Sequence, residues 1–255
     1  MKMHARTDHD GMRKGIYILP NLFTTGSLFC GFYAIISSID GNFHRAAILI
    51  IIACVLDGLD GKIARFTNTT SRFGVEYDSL SDLVSFGVAP SIMAYNWTLS
   101  PYGRYGWIVA FLFVACGAMR LARFNIQIAS VESKVFNGLP IPAAALVIAT
   151  TILFFNFMGG EGTFHNPSIP VAMFFLSLLM VSNIKYYSFK DLNFFARKPF
   201  MTFVLIVFIF VFVVFEPQIV FFAVAVGYSI SGPSWTLGKI VNKKIHGNQA
   251  GEQLR

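Results

Sequence analysis

Four aspartates lie close together in a part of the chain that is otherwise strongly apolar. Asp57 and Asp60 come late in one apolar run, and Asp78 and Asp82 come early in the next. An ionisable side chain at membrane depth is costly, so carboxylates in such runs indicate a functional site. Because four carboxylates repel one another at close range, this group, the aspartate cluster, predicts a divalent metal ion as counterion.

The spacing of the aspartates predicts that they occupy one face of each of two successive helices. Asp57 and Asp60 are three residues apart, and Asp78 and Asp82 are four residues apart. A short connection over residues 67–73 would bring the four carboxylates together. Their oxygen atoms favour magnesium, manganese or calcium over zinc. The same faces carry small residues that leave room for a ligand or allow close helix packing, namely Gly61, Ala64 and Gly74.

The elements that carry the aspartates are predicted to be membrane-spanning helices. Of 255 residues, 55% are hydrophobic and 13% are charged, which argues against a soluble enzyme. The apolar runs approach the roughly 20 residues that a helix needs to cross a bilayer, and they lack the alternation of barrel strands. The sequence therefore predicts an all-α integral membrane protein, a bundle of about eight transmembrane helices. Their cores are 18–39, 46–66, 74–98, 106–128, 140–158, 168–184, 199–215 and 217–235.

The distribution of basic residues predicts the orientation of this bundle. Of the 20 lysines and arginines, eighteen lie on the side that the two tails share with the even-numbered connections and the adjoining helix ends, and only Arg45 and Arg104 lie on the other side. By the positive-inside rule, both termini and the aspartate cluster face the cytoplasm in a multi-pass protein of the cell inner membrane. This topology explains the excess positive charge without a nucleic-acid partner. The predicted organisation is an N-terminal tail at 1–15, one membrane domain at 16–238 with its catalytic motif at 57–82, and a C-terminal tail at 239–255.

The segment that contains the aspartate cluster resembles the signature of a known enzyme family. It reads DGLDGKIAR from Asp57 to Arg65, followed by eight residues, Gly74, three residues, Asp78, three residues and Asp82. This pattern is similar to the full signature of the CDP-alcohol phosphatidyltransferase family. The resemblance implies that an alcohol attacks the lipid-bearing phosphorus of a CDP-linked lipid and releases CMP.

The resemblance also implies roles for individual residues and a homodimer. Asp57, Asp60 and Asp78 would hold one of two divalent cations, Mg²⁺ or Mn²⁺. Asp57, Asp78 and Asp82 would hold the other, and Asp82 would accept the proton of the attacking hydroxyl. The residues similar to the CDP-lipid contacts of the family are Pro20, Asn21, Thr24, Gly61, Arg65 and Ser71.

Three further segments resemble the phosphatidylserine synthase branch, which implies CDP-diacylglycerol and L-serine as substrates. They are 79–90, 120–125 and 136–143. Arg120 and Arg123 would supply cations for the serine carboxylate, and Asn125 and Asn137 would supply acceptors for its ammonium group. Each arginine could equally anchor a helix end among lipid headgroups. A phosphorylated acceptor, glycerol 3-phosphate or inositol phosphate, would use the same cations and stays an alternative.

Two other classes of membrane protein also place carboxylates among apolar helices. A cation channel or carrier would carry them near the bilayer midplane and often has related halves. Here the aspartate cluster lies toward one face, and the sequence shows no internal repeat. A membrane prenyltransferase would have two aspartate-rich motifs far apart in sequence, whereas all four aspartates here fall between Asp57 and Asp82. Both alternatives are therefore less favoured than a phosphatidyltransferase.

Overall fold

The computed structural model describes residues 8–67, 71–128, 135–187 and 199–252, and it describes the side chains of 19–67, 71–126, 138–186 and most of 201–236. Its helices overlap the apolar runs of the sequence, although the predicted span 74–98 is divided into two short helices with irregular turns after each. They are α1 (Asp8–Ile39), α2 (Phe43–Phe66), α3 (Arg72–Asp82), α4 (Ala89–Ala94), α5 (Arg104–Ile128), α6 (Ile141–Phe157), α7 (Ser168–Val181), α8 (Pro199–Phe215) and α9 (Pro217–Glu252). The prediction of a helical membrane protein is confirmed at this level.

Three helices in the described part of the chain are long and apolar enough to cross a membrane. They cover Leu19–Ile39 in α1, Arg104–Ile126 in α5 and Pro217–Thr236 in α9. The helices α6 and α7 are apolar but shorter. The 24-residue α2 has a comparable length, but its last turns carry charged residues, two of them from the aspartate cluster. The protein is therefore an integral membrane protein in which charge is concentrated at one end of α2.

The helical segment that follows Asp82 is wound irregularly. Leu83–Val88 and Tyr95–Leu99 are π-helical turns on either side of α4, and a 3₁₀ turn follows at Ser100–Tyr102. A π-helical turn inserts an extra residue into the α-helical hydrogen-bond ladder, and such turns are frequent at functional sites. No pattern in the sequence predicted these turns.

Two short strands are a second feature that the sequence did not predict. The strand β1 (Val135–Asn137) pairs antiparallel with β2 (Lys185–Tyr187). Gly138 follows β1 with a φ of 82°, and a Cβ atom there would lie 2.3 Å from the carbonyl oxygen of Met180. Both the backbone conformation and the close approach require glycine. The turn therefore fixes β1 against the end of α7.

Both ends of the described chain are helical where the sequence predicts polar tails. α1 begins at Asp8 and contains Pro20 in its interior, and α9 continues to Glu252. The predicted tails at 1–15 and 239–255 are thus largely continuations of α1 and α9, while residues 1–7 and 253–255 lie outside the described part. Helical geometry needs no apolar surface once the preceding turns are formed, because propagation adds one hydrogen bond per residue.

Hydrogen bonds from serine hydroxyl groups connect α1 to the segment that contains Asp82. Ser81 Oγ donates to the Thr24 carbonyl oxygen at 3.1 Å, and Ser85 Oγ donates to the Ser27 carbonyl oxygen at 3.0 Å. Gly31 permits this approach, since a Cβ there would lie 2.6 Å from Ser85 Cα. Buried hydroxyl groups satisfied in this way stabilise helix contacts in an apolar medium. They fix the position of α1 relative to Asp82.

Candidate functional site

The aspartate cluster lies where α2 ends and α3 begins. Asp57, Asp60 and Asp78 each place one carboxylate oxygen so that the three atoms lie within 4.8 Å of one another. The helical spacing puts Asp57 and Asp60 on one face of α2, and the short connection after Phe66 returns the chain so that α3 presents Asp78 to that face. The structure thus brings together three of the four aspartates as one potential metal site.

Asp82 joins this group through Asp57. The carboxyl group of Asp57 contacts the carboxyl groups of both Asp78 and Asp82. Within the described part of the chain, the Oδ1 atoms of Asp78 and Asp82 are buried and have no hydrogen-bond partner. Burying a carboxylate oxygen without a hydrogen-bond donor costs folding free energy. Hard divalent cations bind preferentially to oxygen ligands of this kind. The donor set therefore fits a divalent metal.

Asp60 is the most buried member of the cluster, with 5% of its surface exposed. Thr24 of α1 donates a hydrogen bond from Oγ1 to Asp60 Oδ2 at 2.7 Å. Hydrogen bonds to ligating carboxylates fix their orientation and are as much a part of metal sites as the ligands themselves. Thr24 therefore positions Asp60 relative to the other carboxylates.

Thr24→Val is expected to lower turnover roughly tenfold, since a hydrogen bond to a charged group contributes about 1.5–3 kcal/mol. The substitution keeps the shape of the side chain and removes the donor. Thr25→Val is the matched control, because Thr25 is exposed and its hydroxyl bonds to the Asn21 carbonyl oxygen and to Tyr77 and not to Asp60. Steady-state rates of the two purified variants check the prediction. Equal rates for Thr24→Val and Thr25→Val would show that this bond does not position Asp60.

A cavity of about 290 Å³ opens beside the aspartate cluster, between α1, α2, α3 and α5. Its lining includes all six residues predicted to contact the CDP-lipid and three members of the cluster. The lining residues are Pro20, Asn21, Thr24, Asp60, Gly61, Ala64, Arg65, Ser71, Gly74, Val75, Asp78, Ser79, Asp82, Leu121, Phe124 and Asn125. Asp57 lies behind this surface, in contact with Asp78 and Asp82. The cavity places a ligand next to the carboxylates.

Local hydrogen bonds shape the entrance of the cavity. Ser71 caps α3, because its Oγ accepts a hydrogen bond from the Gly74 backbone N–H at 3.0 Å. A Cβ on Gly74 would lie 3.2 Å from Ser71 Oγ and 3.4 Å from Asn21 Oδ1, so a larger residue would crowd both. The Arg65 Nε donates to the Gly61 carbonyl oxygen at 2.8 Å and holds the guanidinium along α2. Arg65 thus presents a cation at the cavity, suited to phosphate.

The four residues predicted to contact serine are placed differently from one another. Asn125 lines the cavity and exchanges hydrogen bonds with Ser79, at 2.9 and 3.2 Å. Arg120 is buried and is not among the described residues that line the cavity, and it interacts electrostatically with Asp82. Arg123 is not among the described residues that line the cavity, and its Nη2 donates to Asn183 Oδ1 at 2.6 Å. The backbone of Asn137 belongs to β1, and its side chain lies outside the described residues.

Sequence reasoning missed several residues that border the site. Ser79, Leu121 and Phe124 line the cavity. All three lie in segments that resemble the phosphatidylserine synthase branch, and this resemblance could have identified them from the sequence. Tyr228 of α9 lies within electrostatic range of Arg120. No motif marks Tyr228, so only the packing of α9 could identify it.

The sequence profile of the CDP-alcohol phosphatidyltransferases matches residues 17–182, more than half of the chain. The chain belongs to the CDP-alcohol phosphatidyltransferase family. The matched range includes the aspartate cluster and every residue that lines the cavity. Members of this family generally use divalent metals, in agreement with the donor set described above. The family prediction made from the signature is therefore confirmed.

Three relatives show which branch of the family this chain is similar to. A CDP-diacylglycerol–serine O-phosphatidyltransferase from Helicobacter pylori is 44% identical over 181 residues, which cover 70% of this chain and 75% of that protein. One of the same name from Bacillus subtilis is 39% identical over 175 residues, 68% of this chain and 91% of that protein. An archaetidylserine synthase from Methanothermobacter thermautotrophicus is 38% identical over 170 residues, 66% and 69% of the two chains.

Proposed function

We propose that this protein is a CDP-diacylglycerol–serine O-phosphatidyltransferase, which converts CDP-diacylglycerol and L-serine into phosphatidylserine and CMP. The observation that carries the proposal is that one cavity brings the aspartate cluster together with all six residues similar to the CDP-lipid contacts of the family. Relatives named for this reaction, at up to 44% identity, support serine as the acceptor.

The reaction is a single displacement at phosphorus. The serine hydroxyl oxygen forms a bond to the lipid-bearing phosphorus, the bond from that phosphorus to the CMP oxygen breaks, and the hydroxyl proton passes to Asp82. A covalent lipidyl-enzyme would need an activated nucleophile beside a base. The described residues that line the cavity include neither His nor Cys, and the carboxylates among them are better used as metal ligands and proton acceptor. Phosphoryl transfer of this kind depends chiefly on positioning and on charge stabilisation.

The metal ions proposed for this site are Mg²⁺ or Mn²⁺. Asp57, Asp60 and Asp78 would hold one of them, and Asp57, Asp78 and Asp82 the other. When bound, such ions neutralise the pyrophosphate and the developing negative charge. The buried Oδ1 atoms of Asp78 and Asp82, which have no donor in the described part of the chain, support this assignment. Thr24 keeps Asp60 oriented, and Arg65 and Ser71 contact the phosphates and the nucleotide.

The acceptor pocket is proposed to lie between α3 and α5, next to Asp82. Arg120 provides the cation for the serine carboxylate, and Asn125 with its partner Ser79 provides acceptors for the ammonium group. The contact of Arg123 with serine stays a prediction, and in the structure its Nη2 donates to Asn183 Oδ1 at 2.6 Å. The role that the resemblance gives to Asn137 stays a prediction.

A competition assay decides between serine and the other acceptors. Purified protein with CDP-diacylglycerol and equal concentrations of L-serine, glycerol 3-phosphate and inositol phosphate is expected to form phosphatidylserine and release an equal amount of CMP. Preferential formation of a phosphoglycerol or phosphoinositol lipid would overturn the acceptor assignment and leave the phosphatidyltransferase chemistry standing. Cation flux through reconstituted vesicles without CMP release would instead favour a channel or carrier.

The proposed arrangement in the membrane is a multi-pass domain at 16–238 with eight spans. Both terminal segments and the aspartate cluster face the cytoplasm, where soluble serine is available. The bias of basic residues toward one side supports this orientation. The family resemblance supports a homodimer, which native mass spectrometry in detergent would test.

Labelling of single introduced cysteines is expected to place the two ends of the bundle on opposite sides. Arg72 and Arg104 are both exposed, at the start of α3 and of α5. In cells, Arg72→Cys should react only after the inner membrane is permeabilised, whereas Arg104→Cys should react with an impermeant reagent from outside. The parent protein, with its three buried or half-buried cysteines, is the control. The reverse pattern would invert the proposed topology.

A further inference from the structure

Ser79 of α3 and Asn125 of α5 form a hydrogen-bonded pair at the cavity beside the aspartate cluster. Asn125 Nδ2 donates to Ser79 Oγ at 2.9 Å, and Asn125 Oδ1 lies 3.2 Å from the same hydroxyl oxygen. Both side chains line the cavity, as do Asp78 and Asp82. Ser79 follows Asp78 directly and lies one helical turn before Asp82. A ligand that reaches these carboxylates in the cavity therefore also encounters the pair.

The position of a single proton determines how the Asn125 amide is turned. A serine hydroxyl has one proton, and two oxygen atoms lie near enough to accept it from Ser79. They are the Val75 carbonyl oxygen at 3.1 Å and Asn125 Oδ1 at 3.2 Å. When Val75 takes the proton, Ser79 Oγ keeps its lone pairs for the NH2 group of Asn125. If the amide turned over, its oxygen would occupy the nearer position and compete with Val75 for the proton. The observed orientation is therefore the one that forms more hydrogen bonds.

This orientation leaves the Asn125 carbonyl oxygen able to accept a hydrogen bond from a ligand. An amide oxygen accepts two hydrogen bonds, and the Ser79 hydroxyl can supply at most one of them. The other residues of α5 in the described cavity lining are Leu121 and Phe124, so Asn125 is the polar side chain that α5 contributes there. A polar group of the acceptor on this side of the cavity therefore meets the amide oxygen.

The charges around the pair favour a ligand that carries an ammonium group. On this side of the cavity, α3 contributes the carboxylates of Asp78 and Asp82. The one lysine or arginine among the described lining residues is Arg65, which lies on α2 and is bonded to the Gly61 carbonyl oxygen. Oxygen acceptors attract an ammonium group, whereas like charges placed together disfavour the wrong partner. The α3 and α5 sides are therefore suited to an amino alcohol and unsuited to a phosphorylated one.

We infer that Ser79 is a positioning residue that makes the acceptor site selective for an alcohol with an ammonium group. Its hydroxyl, bonded to the Val75 carbonyl oxygen, fixes the Asn125 amide so that the amide oxygen is presented to the acceptor. This inference rests on the proposed function, in which Asn125 with its partner Ser79 binds the ammonium group. It adds the group that sets the amide orientation and a physical reason for rejecting glycerol 3-phosphate and inositol phosphate.

The test compares L-serine with 3-hydroxypropionate, which is serine without its amino group. Ser79→Ala is expected to raise the KM for L-serine roughly tenfold, the scale of a hydrogen bond to a charged group. The KM for CDP-diacylglycerol should change less than twofold. The inhibition constant of 3-hydroxypropionate against serine should stay unchanged, because this compound has no ammonium group for Asn125 to bind. A merely structural role of Ser79 would weaken both acceptor-site ligands alike.

A matched control removes the same kind of hydrogen bond elsewhere in the chain. Ser234 of α9 is exposed, and its hydroxyl donates to the carbonyl oxygen of Ile230, four residues earlier, as Ser79 does to Val75. Ser234 is not among the described residues that line the cavity. Ser234→Ala should therefore leave the two KM values and the inhibition constant unchanged.

A conservative variant and a double substitution separate positioning from packing. Ser79→Thr keeps the hydroxyl, and Thr151 shows that threonine forms this bond in the same protein, since it donates to the Val147 carbonyl oxygen at 2.6 Å. Ser79→Thr should therefore retain the serine KM of the parent. In the Asn125→Ala background, Ser79→Ala should have no further effect on that KM, because the group that it positions is gone.

Three results would overturn the inference while the proposed function stands. They are an unchanged serine KM in Ser79→Ala, equal rises in the serine KM and the inhibition constant of 3-hydroxypropionate, and an undiminished effect of Ser79→Ala without Asn125. Each is measured with a parent protein that forms phosphatidylserine in the competition assay. If the parent instead prefers glycerol 3-phosphate or inositol phosphate, the serine assignment fails, and the selectivity for an ammonium group fails with it.

Discussion

Asp57→Asn is expected to lower phosphatidylserine formation roughly 10³-fold, the scale on which loss of a preorganised electrostatic group lowers kcat. Asp57 is the one aspartate whose carboxyl group contacts both Asp78 and Asp82, and it also belongs to the group of three oxygens within 4.8 Å. Its substitution therefore affects both proposed metal sites at once. Steady-state assays of CMP release over a range of metal concentrations measure the loss.

The fold is expected to survive this substitution. Removal of one carboxylate relieves repulsion within the aspartate cluster, so metal-free Asp57→Asn should melt at or above the temperature of the metal-free parent. Asp40→Asn, in the exposed turn between α1 and α2, is the control and should retain full activity.

Asp82→Asn should lose activity by about 10²- to 10⁴-fold as well, yet retain the most nucleotide binding, because its additional role is proton transfer. An Asp82→Asn enzyme as active as the parent across pH would refute the assignment of the base.

Removal of divalent metal is expected to abolish turnover, and Mg²⁺ or Mn²⁺ should restore it. The physical reason is the presence of two buried carboxylate oxygens, on Asp78 and Asp82, with no donor in the described part of the chain. Without a cation, the pyrophosphate of the substrate would also face an uncompensated group of negative charges. The assay compares chelator-treated protein with the same sample after addition of each metal.

Melting curves provide a readout of metal binding that is independent of turnover. Metal that binds only the folded protein stabilises it by about 2.7 kcal/mol at 100 times its Kd, so the melting temperature of the parent should rise with metal concentration. The rise should be lost in Asp57→Asn and retained in Asp40→Asn. Full activity in excess chelator, with metal loss verified by elemental analysis, would rule out a metal-dependent site.

The sequence alone was sufficient to predict the aspartate cluster, the helices and the family. Asp57, Asp60 and Asp78 follow helical spacing on two segments joined by a short connection, so local geometry brings them together. The long apolar runs permit only helices in a membrane. The resemblance to the family signature then selected six residues on α1, α2 and the start of α3, and all six line the cavity.

The tertiary structure decided which distant residues complete the site. Thr24 bonds to Asp60, Arg123 bonds to Asn183, and Tyr186 of β2 packs on Tyr228 of α9. The π-helical turns after Asp82 and the pairing of β1 with β2 also have no counterpart in the sequence pattern. The physical reason is that apolar residues on a membrane helix look alike whether they face lipid or another helix, because both surroundings are apolar. Hydropathy therefore predicts that α5 and α9 exist, whereas only the tertiary packing determines that Tyr228 of α9 contacts Tyr186 of β2.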